Sequence, residues 1–159
     1  MESRQIREAL PSEAGLLSSL ALRSKAHWGY SPDFLDSCRN ELTVDPSRIV
    51  SERYSCFVAV ERDSILGYYS LEKISESVYE LDALFVEPAH IGTGVGRLLI
   101  QHALPVLKQR GATRLVIQGD PNAMEFYRAA GARQIGTRES ESIPGRYLPL
   151  FEIEIDHTA

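Results

Sequence analysis

Cysteine and long apolar runs are both scarce in this chain. Its 159 residues include 2 cysteines, Cys38 and Cys56, whose spacing matches no metal site. The pair predicts free thiols in a reducing compartment rather than a disulfide framework. No apolar run approaches the roughly 20 residues that a helix needs to cross a bilayer, and the residues after Met1 lead into no apolar signal region. We therefore expect a cytoplasmic protein without a membrane partner or a metal.

An excess of positive charge is also missing. The formal net charge is −5 at pH 7, which argues against a general nucleic-acid binder because such proteins are usually basic. An acidic chain is compatible with a cationic small-molecule substrate. Hydrophobic residues make up 43% and charged residues 25% of the chain, as in ordinary globular proteins. The length then predicts a single domain over residues 1–159, large enough to bury a core.

The order of the predicted elements indicates the fold class. Apolar runs bounded by turn residues predict strands at residues 4–9, 56–60, 65–71, 78–86, 115–117, 133–137 and 148–155. Helical spacing predicts helices after Pro11 and Ser31, over residues 94–110, and from Asp120 to Ala130. The first helix would bury both Leu16 and Leu17 on its apolar face.

The connections between these elements predict a mixed sheet. Three consecutive strands with short connections form an antiparallel meander, whereas strands 78–86 and 115–117 are joined through a helix, which implies a parallel pair. We expect an α/β fold of mixed α+β character. Its single mixed sheet is mostly antiparallel and has helices on both faces.

A strand, a glycine turn and a helix follow one another between Val86 and Ile100. Glycines at 92, 94 and 96 let the backbone approach a ligand closely and adopt positive φ. The first turn of a helix has N–H groups without internal partners and the positive end of the helix dipole. The segment therefore predicts an anion site for a phosphate-bearing ligand, although a purely structural turn would have the same glycines. Gly96 is followed by Arg97-Leu98 rather than the Lys-Ser/Thr of a Walker loop, and the spacing does not fit a dinucleotide fingerprint.

Two blocks of sequence resemble the GNAT-type N-acetyltransferases. The stretch from Leu84 to Leu99 is similar to that family's acetyl-CoA-binding motif, Gln/Arg-x-x-Gly-x-Gly/Ala after a Val-x-Pro strand end, with Ile91 in place of the usual Gln or Arg. The stretch from Asp120 to Ala132 is similar to the family's Asn-Ala-x-x-Phe-Tyr-x-x-x-Gly-Phe block, with Ala132 in place of phenylalanine. The resemblance covers most of the chain and implies the GNAT-like fold, in which the two parallel strands splay apart.

The resemblance implies acetyl-CoA as co-substrate and no metal. The main-chain amides from Gly92 to Arg97 would hold the CoA pyrophosphate, and the backbone of Leu84 and Val86 would pair with pantetheine as an added strand. Asn122 would bond the pantetheine arm, or would be an ordinary polar residue at a helix start. The cofactor contacts implied in this way are Leu84, Phe85, Val86, Ile91, Gly92, Thr93, Gly94, Val95, Gly96, Arg97, Asn122 and Phe126.

Acetyl transfer to an amine requires a proton acceptor, and one strand offers two carboxylates. An alkyl amine with a pKa near 10.4 is mostly protonated at neutral pH, so a base must remove a proton before attack. Strict alternation would give the strand one face with Tyr79, Leu81, Ala83 and Phe85, and another with Glu80, Asp82, Leu84 and Val86. Glu80 matches the position where many GNAT members carry a glutamate. We expect Glu80 as the base, with Asp82 as second candidate; the alternative is a salt-bridged surface carboxylate.

The proton donor is expected on the last predicted helix. Tyr127 matches the tyrosine of the family's Phe-Tyr pair, and its phenol would protonate the departing CoA thiolate. The alternative is that Phe126 and Tyr127 are both core aromatics of an amphipathic helix.

The acceptor site is least defined by the sequence. Trp28 and Tyr30 lie between the two N-terminal helices, where they would stack on a substrate or simply pack the helix junction. The loop around Arg146 would close over the acceptor or form a hairpin loop with the guanidinium in solvent. We expect an N-acetyltransferase acting on a primary amine of a small molecule or peptide. The alternative is a non-catalytic acyl-CoA-binding sensor, and a homodimer is common in the family.

Overall fold

The protein folds around a seven-stranded sheet in the computed structural model, which describes residues 3–156. The strands are β1 Gln5–Glu8, β2 Tyr54–Glu61, β3 Ser64–Lys73, β4 Val78–Val86, β5 Arg114–Gln118, β6 Arg133–Glu139 and β7 Tyr147–Glu154. The helices are α1 Ala14–Ala26, α2 Pro32–Leu42, α3 Pro46–Ile49, α4 Val95–Gln109 and α5 Met124–Ala129. No helix in the described part of the chain is long and apolar enough to cross a membrane.

The sheet has the mixed topology that the sequence predicts. Its strand order is β1-β2-β3-β4-β5-β7-β6. Neighbouring strands are antiparallel except β4 and β5, which pair in parallel through the crossover helix α4. The predicted fold class is thereby confirmed.

Helices cover both faces of this sheet, and each face has its own apolar cluster. On the first face, which we call the α4 face, Val95, Leu99, Leu107 and Tyr127 pack against Tyr69, Leu71, Ile117 and Phe151. On the second, the α1–α2 face, Leu17, Leu20, Cys38 and Leu42 pack against Cys56, Val58 and Tyr68. Both cysteines are buried and free, in agreement with the prediction of unpaired thiols.

Two local predictions for the N-terminal half are wrong. Leu16 is 62% exposed, because the buried residues of α1 recur at Leu17, Leu20, Ala21 and Ser24, and Leu16 lies outside this stripe. Residues 46–49 form the short helix α3, which is not among the helices predicted from the sequence. The Asp45 side chain caps this helix by accepting a 2.9 Å hydrogen bond from the Ser47 amide.

A β-bulge changes which side chains of β4 face the cleft. In the β3–β4 register Ser70 pairs with Ala83 and Leu71 pairs with Leu81, so Asp82 is an extra residue without an opposite partner. The predicted strict alternation along this strand is therefore wrong beyond Asp82. Tyr79, Leu81, Leu84 and Val86 all pack on the α4 face, whereas Ala83 and Phe85 pack on the α1–α2 face.

Candidate active site

The parallel strands separate beyond Leu81 and leave part of β4 unpaired. Their pairing runs from Val78 with Arg114 to Leu81 with Ile117 and then stops. β4 continues to Val86, while β5 ends at Gln118 and pairs with β7 on its other side. Residues 82–86 thus have backbone groups on the β5 side that no strand satisfies, and we call this segment the open edge. It confirms the predicted splayed pair and offers ladder hydrogen bonds to an extended ligand.

The glycine loop continues directly from the open edge. Gly92 and Gly94 have φ values of +83° and +93°, a conformation that favours glycine. Within residues 3–156, no hydrogen bond engages the backbone N–H groups of Gly92, Gly94, Val95, Gly96 and Arg97. These amides stand at the start of α4, a 15-residue helix whose dipole is positive at that end. The loop therefore offers an anion both hydrogen-bond donors and the positive electrostatic field of the helix dipole.

Two contacts shape this loop. A Cβ on Gly96 would lie 3.1 Å from the Phe126 ring, which is tighter than an ordinary contact, so glycine favours the close approach of α5 to α4. Arg4 donates to the Thr93 carbonyl oxygen at 2.7 Å and to its hydroxyl at 3.1 Å, which ties the loop to the segment before β1. Arg4 was missed by sequence reasoning because it lies 89 positions from Thr93.

A cleft of about 1330 Å³ runs along β4 from this loop towards α3. Its lining includes most of the predicted site residues: Trp28, Glu80, Asp82, Leu84, Phe85, Val86, Ile91, Gly92, Gly94, Gly96, Arg97, Asn122, Phe126 and Tyr127. Tyr30, Thr93 and Val95 are not part of the lining. Val95 is buried in the core on the α4 face, so only its main chain is open to a ligand.

Tyr127 presents its hydroxyl to this cleft from an otherwise buried ring. The residue is 7% exposed and its ring packs beside Phe126 and Phe151, at centroid distances of 5.2 and 5.9 Å. The hydroxyl forms no hydrogen bond within residues 3–156, and no fully buried side-chain oxygen or nitrogen there lacks a partner, so the group opens to the cleft. Burial, with a contribution from Asp120, raises the pKa of Tyr127. The phenol is therefore protonated at neutral pH, as a proton donor must be.

The first base candidate, Glu80, is engaged by an arginine. Arg138 of β6 donates to the Glu80 carboxylate at 2.9 Å, and 20% of the Glu80 side chain is exposed. Glu80 also stands directly opposite Glu72 in the β3–β4 ladder. The sequence left a salt-bridged carboxylate open as the alternative, and this ion pair is present.

The second candidate, Asp82, occupies the bulge. Its side chain is 34% exposed, lies 3.9 Å from the Arg48 guanidinium and accepts a long 3.4 Å hydrogen bond from Ser70. Burial raises the pKa of Asp82; Arg48 opposes this shift, whereas Glu72 and Glu80 add to it. A carboxylate with a raised pKa and an accessible oxygen is suited to proton transfer near neutral pH.

Tyr30 is part of a hydrogen-bond network centred on Asp120. Its ring stacks on Phe34 at 4.2 Å and its hydroxyl donates to the Asp120 carboxylate at 2.9 Å. Lys25 pairs with the same carboxylate at 2.7 Å, and Arg146 donates to the Tyr30 hydroxyl at 3.2 Å. These residues, with Asn122, form what we call the Asp120 network, which joins the α1–α2 junction to the start of α5.

The contacts of the Asp120 network determine which groups of Arg146 and Asn122 remain available to a ligand. The Arg146 guanidinium lies 4.7 Å over the Phe34 ring and is not in solvent. Asn122 donates both to Asp120 at 2.8 Å and to Tyr30 at 3.1 Å, which leaves its amide oxygen for a ligand. Although burial disfavours the charged form, hydrogen bonds from Lys25 and from the Asn122 amide hold the pKa of Asp120 below its usual value. Trp28 stays 45% exposed in the cleft wall.

Little in the sequence points to this network. Asp120 before Pro121 is a recognisable helix-start signal, and its side chain does accept the Asn122 amide at 2.9 Å. The partners Lys25 and Tyr30 are 95 and 90 positions away, so no local pattern connects them. Among residues 3–156 no group of three or more His, Cys, Asp or Glu side chains is arranged to hold a metal.

Comparison with known sequences identifies the family of this fold and cleft. Residues 21–132 match the sequence model of the Acetyltransferase (GNAT) family. The chain is 35% identical over 122 residues to the peptidyl-lysine N-acetyltransferase YjaB of Escherichia coli K12, covering 76% of this chain and 78% of that protein. It is 28% identical over 148 residues to the 5-NmdU N-acetyltransferase of Pseudomonas phage PaMx11, covering 92% and 96% of the two chains.

A solved structure has the same fold. The PaiA N-acetyltransferase of Thermoplasma acidophilum, crystallised with coenzyme A, superposes with a TM-score of 0.76 at 18% identity, covering 96% of this chain and 99% of that one. The family match extends over the central part of the chain, from α1 to the residue before β6. The chain therefore belongs to the GNAT family of acetyltransferases and is an acyltransferase enzyme.

Proposed function

We propose that the protein transfers the acetyl group of acetyl-CoA to the ε-amine of a lysine in a peptide or protein, and that residues 1–159 act as one domain. One observation carries the proposal: the open edge of β4, the unpaired amides after Gly92 and the Tyr127 hydroxyl all meet in one cleft. An extended thioester with a pyrophosphate at one end matches all three features: its pyrophosphate would lie at the amides, its pantetheine along the open edge and its sulfur near the Tyr127 hydroxyl.

Acetyl-CoA is the donor that this geometry accommodates. The five unpaired amides between Gly92 and Arg97 would bind the pyrophosphate, since a hydrogen bond to a charged group contributes about 1.5–3 kcal/mol. The open edge would pair with the pantetheine amides, and the free amide oxygen of Asn122 would accept one more hydrogen bond. The coenzyme A in the PaiA crystal structure supports this choice of donor.

Proton transfer would involve two kinds of group: a carboxylate that accepts a proton from the substrate ammonium, and the Tyr127 hydroxyl that donates one to the CoA sulfur. Asp82, with Glu80 beside it, would accept a proton from the ammonium directly or through water, and the amine nitrogen would then attack the thioester carbonyl carbon. The carbon–sulfur bond would break, the CoA sulfur would take a proton from the Tyr127 hydroxyl, and the second proton of the attacking nitrogen would pass through water to restore that hydroxyl. The raised pKa of Asp82 and the ion pair between Glu80 and Arg138 favour Asp82 as the direct acceptor.

Lysine is proposed as the acceptor because of the sequence relative and the cleft. YjaB is named a peptidyl-lysine N-acetyltransferase and shares 35% of its aligned residues with this chain. The cleft is lined by carboxylates near β4 and extends to the surface formed by α2 and α3, which leaves room for a chain that carries the amine.

The test is turnover measured as free thiol released from acetyl-CoA. Lysine-containing peptides, blocked at both ends, are compared with the same peptides carrying norleucine in place of lysine and with a panel of small amines. We expect transfer to the lysine peptides alone, located by mass spectrometry on the lysine side chain. Transfer to small amines without transfer to any peptide would reject the proposed acceptor. Cofactor binding without turnover on any amine would favour the non-catalytic sensor.

A further inference from the structure

The glycine loop is tied to the sheet by a residue that is distant in sequence. Arg4 donates to the Thr93 carbonyl oxygen at 2.7 Å and to the Thr93 hydroxyl at 3.1 Å. Within residues 3–156, every other hydrogen bond of residues 91–94 is local and reaches only residues 88–98. Arg4 is therefore the long-range contact that can fix the conformation of this loop.

The position of Arg4 is itself set by the sheet. The residue directly precedes β1, whose first residue, Gln5, pairs with Val60 of β2. The Arg4 Nε atom lies 3.7 Å from the carboxylate of Glu61, at the end of β2, and 27% of the Arg4 side chain is exposed. The guanidinium thus reaches the loop from a paired strand and not from a free chain end.

The carbonyl group that Arg4 binds belongs to the same peptide unit as the Gly94 amide. In a trans peptide the C=O and N–H groups point in opposite directions, and none of the described peptide bonds is cis. Gly94 lines the cleft, whereas Arg4 and Thr93 do not. The contact therefore holds the carbonyl on the side away from the cleft, which directs the unpaired Gly94 N–H towards it.

The glycines on either side of Thr93 do not fix this orientation by themselves. Gly92 and Gly94 have φ values of +83° and +93°, but glycine adopts positive and negative φ about equally readily. Rotation of the Thr93–Gly94 peptide would turn its N–H away from the cleft and its carbonyl oxygen towards a bound anion, which the oxygen would repel. Holding the peptide in place beforehand lowers the ordering cost of binding.

We propose that Arg4 is a positioning residue of the acetyl-CoA site, which holds the Thr93–Gly94 peptide so that the Gly94 N–H faces the pyrophosphate. The inference rests on the proposed function, in which acetyl-CoA is the donor, and adds to it a residue outside the cleft. A cation on the carbonyl oxygen also polarises the peptide and strengthens its N–H as a donor. Arg4 acts through this peptide, so its effect is confined to the pyrophosphate end of the cofactor.

The test compares two acetyl donors that differ at the end bound by the loop. Acetyl-CoA carries the pyrophosphate and S-acetylpantetheine lacks it, and both are assayed with the same lysine peptide. We expect Arg4→Met to raise the KM of acetyl-CoA about 10-fold without changing kcat. The kcat/KM of S-acetylpantetheine should stay the same. Titration calorimetry with coenzyme A, which needs no acceptor, should show the same 10-fold loss of affinity.

Two further variants assign the effect to the contact with Thr93. Arg4→Lys keeps a charged donor for the carbonyl oxygen but loses the forked geometry, so coenzyme A affinity should recover to about 3-fold below that of the unaltered protein. Arg7→Met is the matched control, because Arg7 lies on the same strand and donates to Glu13 at 2.8 Å instead of to the loop. The control should bind coenzyme A as the unaltered protein does.

The outcomes separate this inference from the proposed function. Unchanged coenzyme A affinity in Arg4→Met, or an equal loss of kcat/KM with both donors, overturns the role of Arg4 and leaves acetyl transfer from acetyl-CoA standing. Absence of coenzyme A binding to the unaltered protein overturns the proposed function and the inference with it.

Discussion

The two ends of the cleft differ in what they are made of. At the glycine loop the groups open to the cleft are main-chain amides and an unpaired strand edge. In the part of the cleft beyond Asp82 they are side chains from α2, α3, β3, β4 and the β6–β7 loop. A main-chain site needs one continuous segment with the right glycines, whereas a side-chain site needs many separate segments to meet. We therefore expect the glycine-loop end to be common to the family and the other end to differ among its members.

The largest effect is expected from blocking the main-chain end. Gly96→Val would place branched carbons against the Phe126 ring, which already lies 3.1 Å from the position of a Cβ. We expect acetyl-CoA affinity to fall more than 100-fold, measured by quenching of the emission of Trp28, the single tryptophan of the chain. Gly15→Ala is the control, because a Cβ at Gly15 meets nothing within 4 Å. Unchanged affinity in Gly96→Val would show that acetyl-CoA binds elsewhere on the protein.

The next largest effect separates chemistry from cofactor binding. Tyr127→Phe removes only the hydroxyl that opens to the cleft, so kcat should fall by about 10²–10³ while acetyl-CoA affinity stays the same. Tyr147→Phe is the matched control, since Tyr147 is 62% exposed and lies outside the cleft. If Tyr127→Phe turns over at the rate of the unaltered enzyme across the pH range, Tyr127 is only a core aromatic.

A pH profile of the enzyme tests the proposed proton acceptor, Asp82. A base acts when deprotonated, so the raised pKa of Asp82 places the acidic limb of kcat/KM at higher pH than for an ordinary carboxyl. Arg48 lowers that pKa, and Arg48→Met should therefore shift the limb to still higher pH. Asp82→Asn should lower kcat about 100-fold and remove the limb.

Two matched variants interpret this profile. Arg53→Met removes the arginine beside Glu72 instead, and should leave the limb in place. If Glu80→Gln rather than Asp82→Asn abolishes the limb, the proton acceptor is Glu80, as the family resemblance first indicated.

The smallest effect concerns the Asp120 network. Tyr30→Phe removes one hydroxyl from a carboxylate that keeps its bonds to Lys25 and Asn122, so the free energy of unfolding should fall by about 1 kcal/mol. Denaturant titration measures this, again with Tyr147→Phe as control. A rise in the KM of the acceptor in the same variant would show that Tyr30 also contacts substrate. An unchanged free energy of unfolding would show that the network does not stabilise the fold.

The sequence predicted what is local and missed what is formed by pairing. The end of the strand, the glycine spacing and the start of the helix all lie between Val86 and Ile100, so the loop could be predicted from the local pattern, whereas the splayed strands followed only from the resemblance to the GNAT family. The bulge at Asp82 depends on the register with β3, and the Glu80–Arg138 pair joins residues 58 positions apart. Neither feature is visible in the local sequence pattern. The side chains on each face of β4 and the partner of Glu80 therefore could not be predicted.

The bulge gives Asp82 an unusual freedom to vary. The residue has no opposite partner in the β3–β4 ladder, and its hydrogen bond to β3 is the long 3.4 Å one from Ser70, so its identity is only weakly tied to that strand. Replacing it alters the chemistry of the cleft without any repacking of the sheet. Deleting it would turn the side chains of residues 83–86 to the opposite face of the sheet. Evolution can therefore retune the proposed proton acceptor one substitution at a time, provided the chain keeps its length at this point.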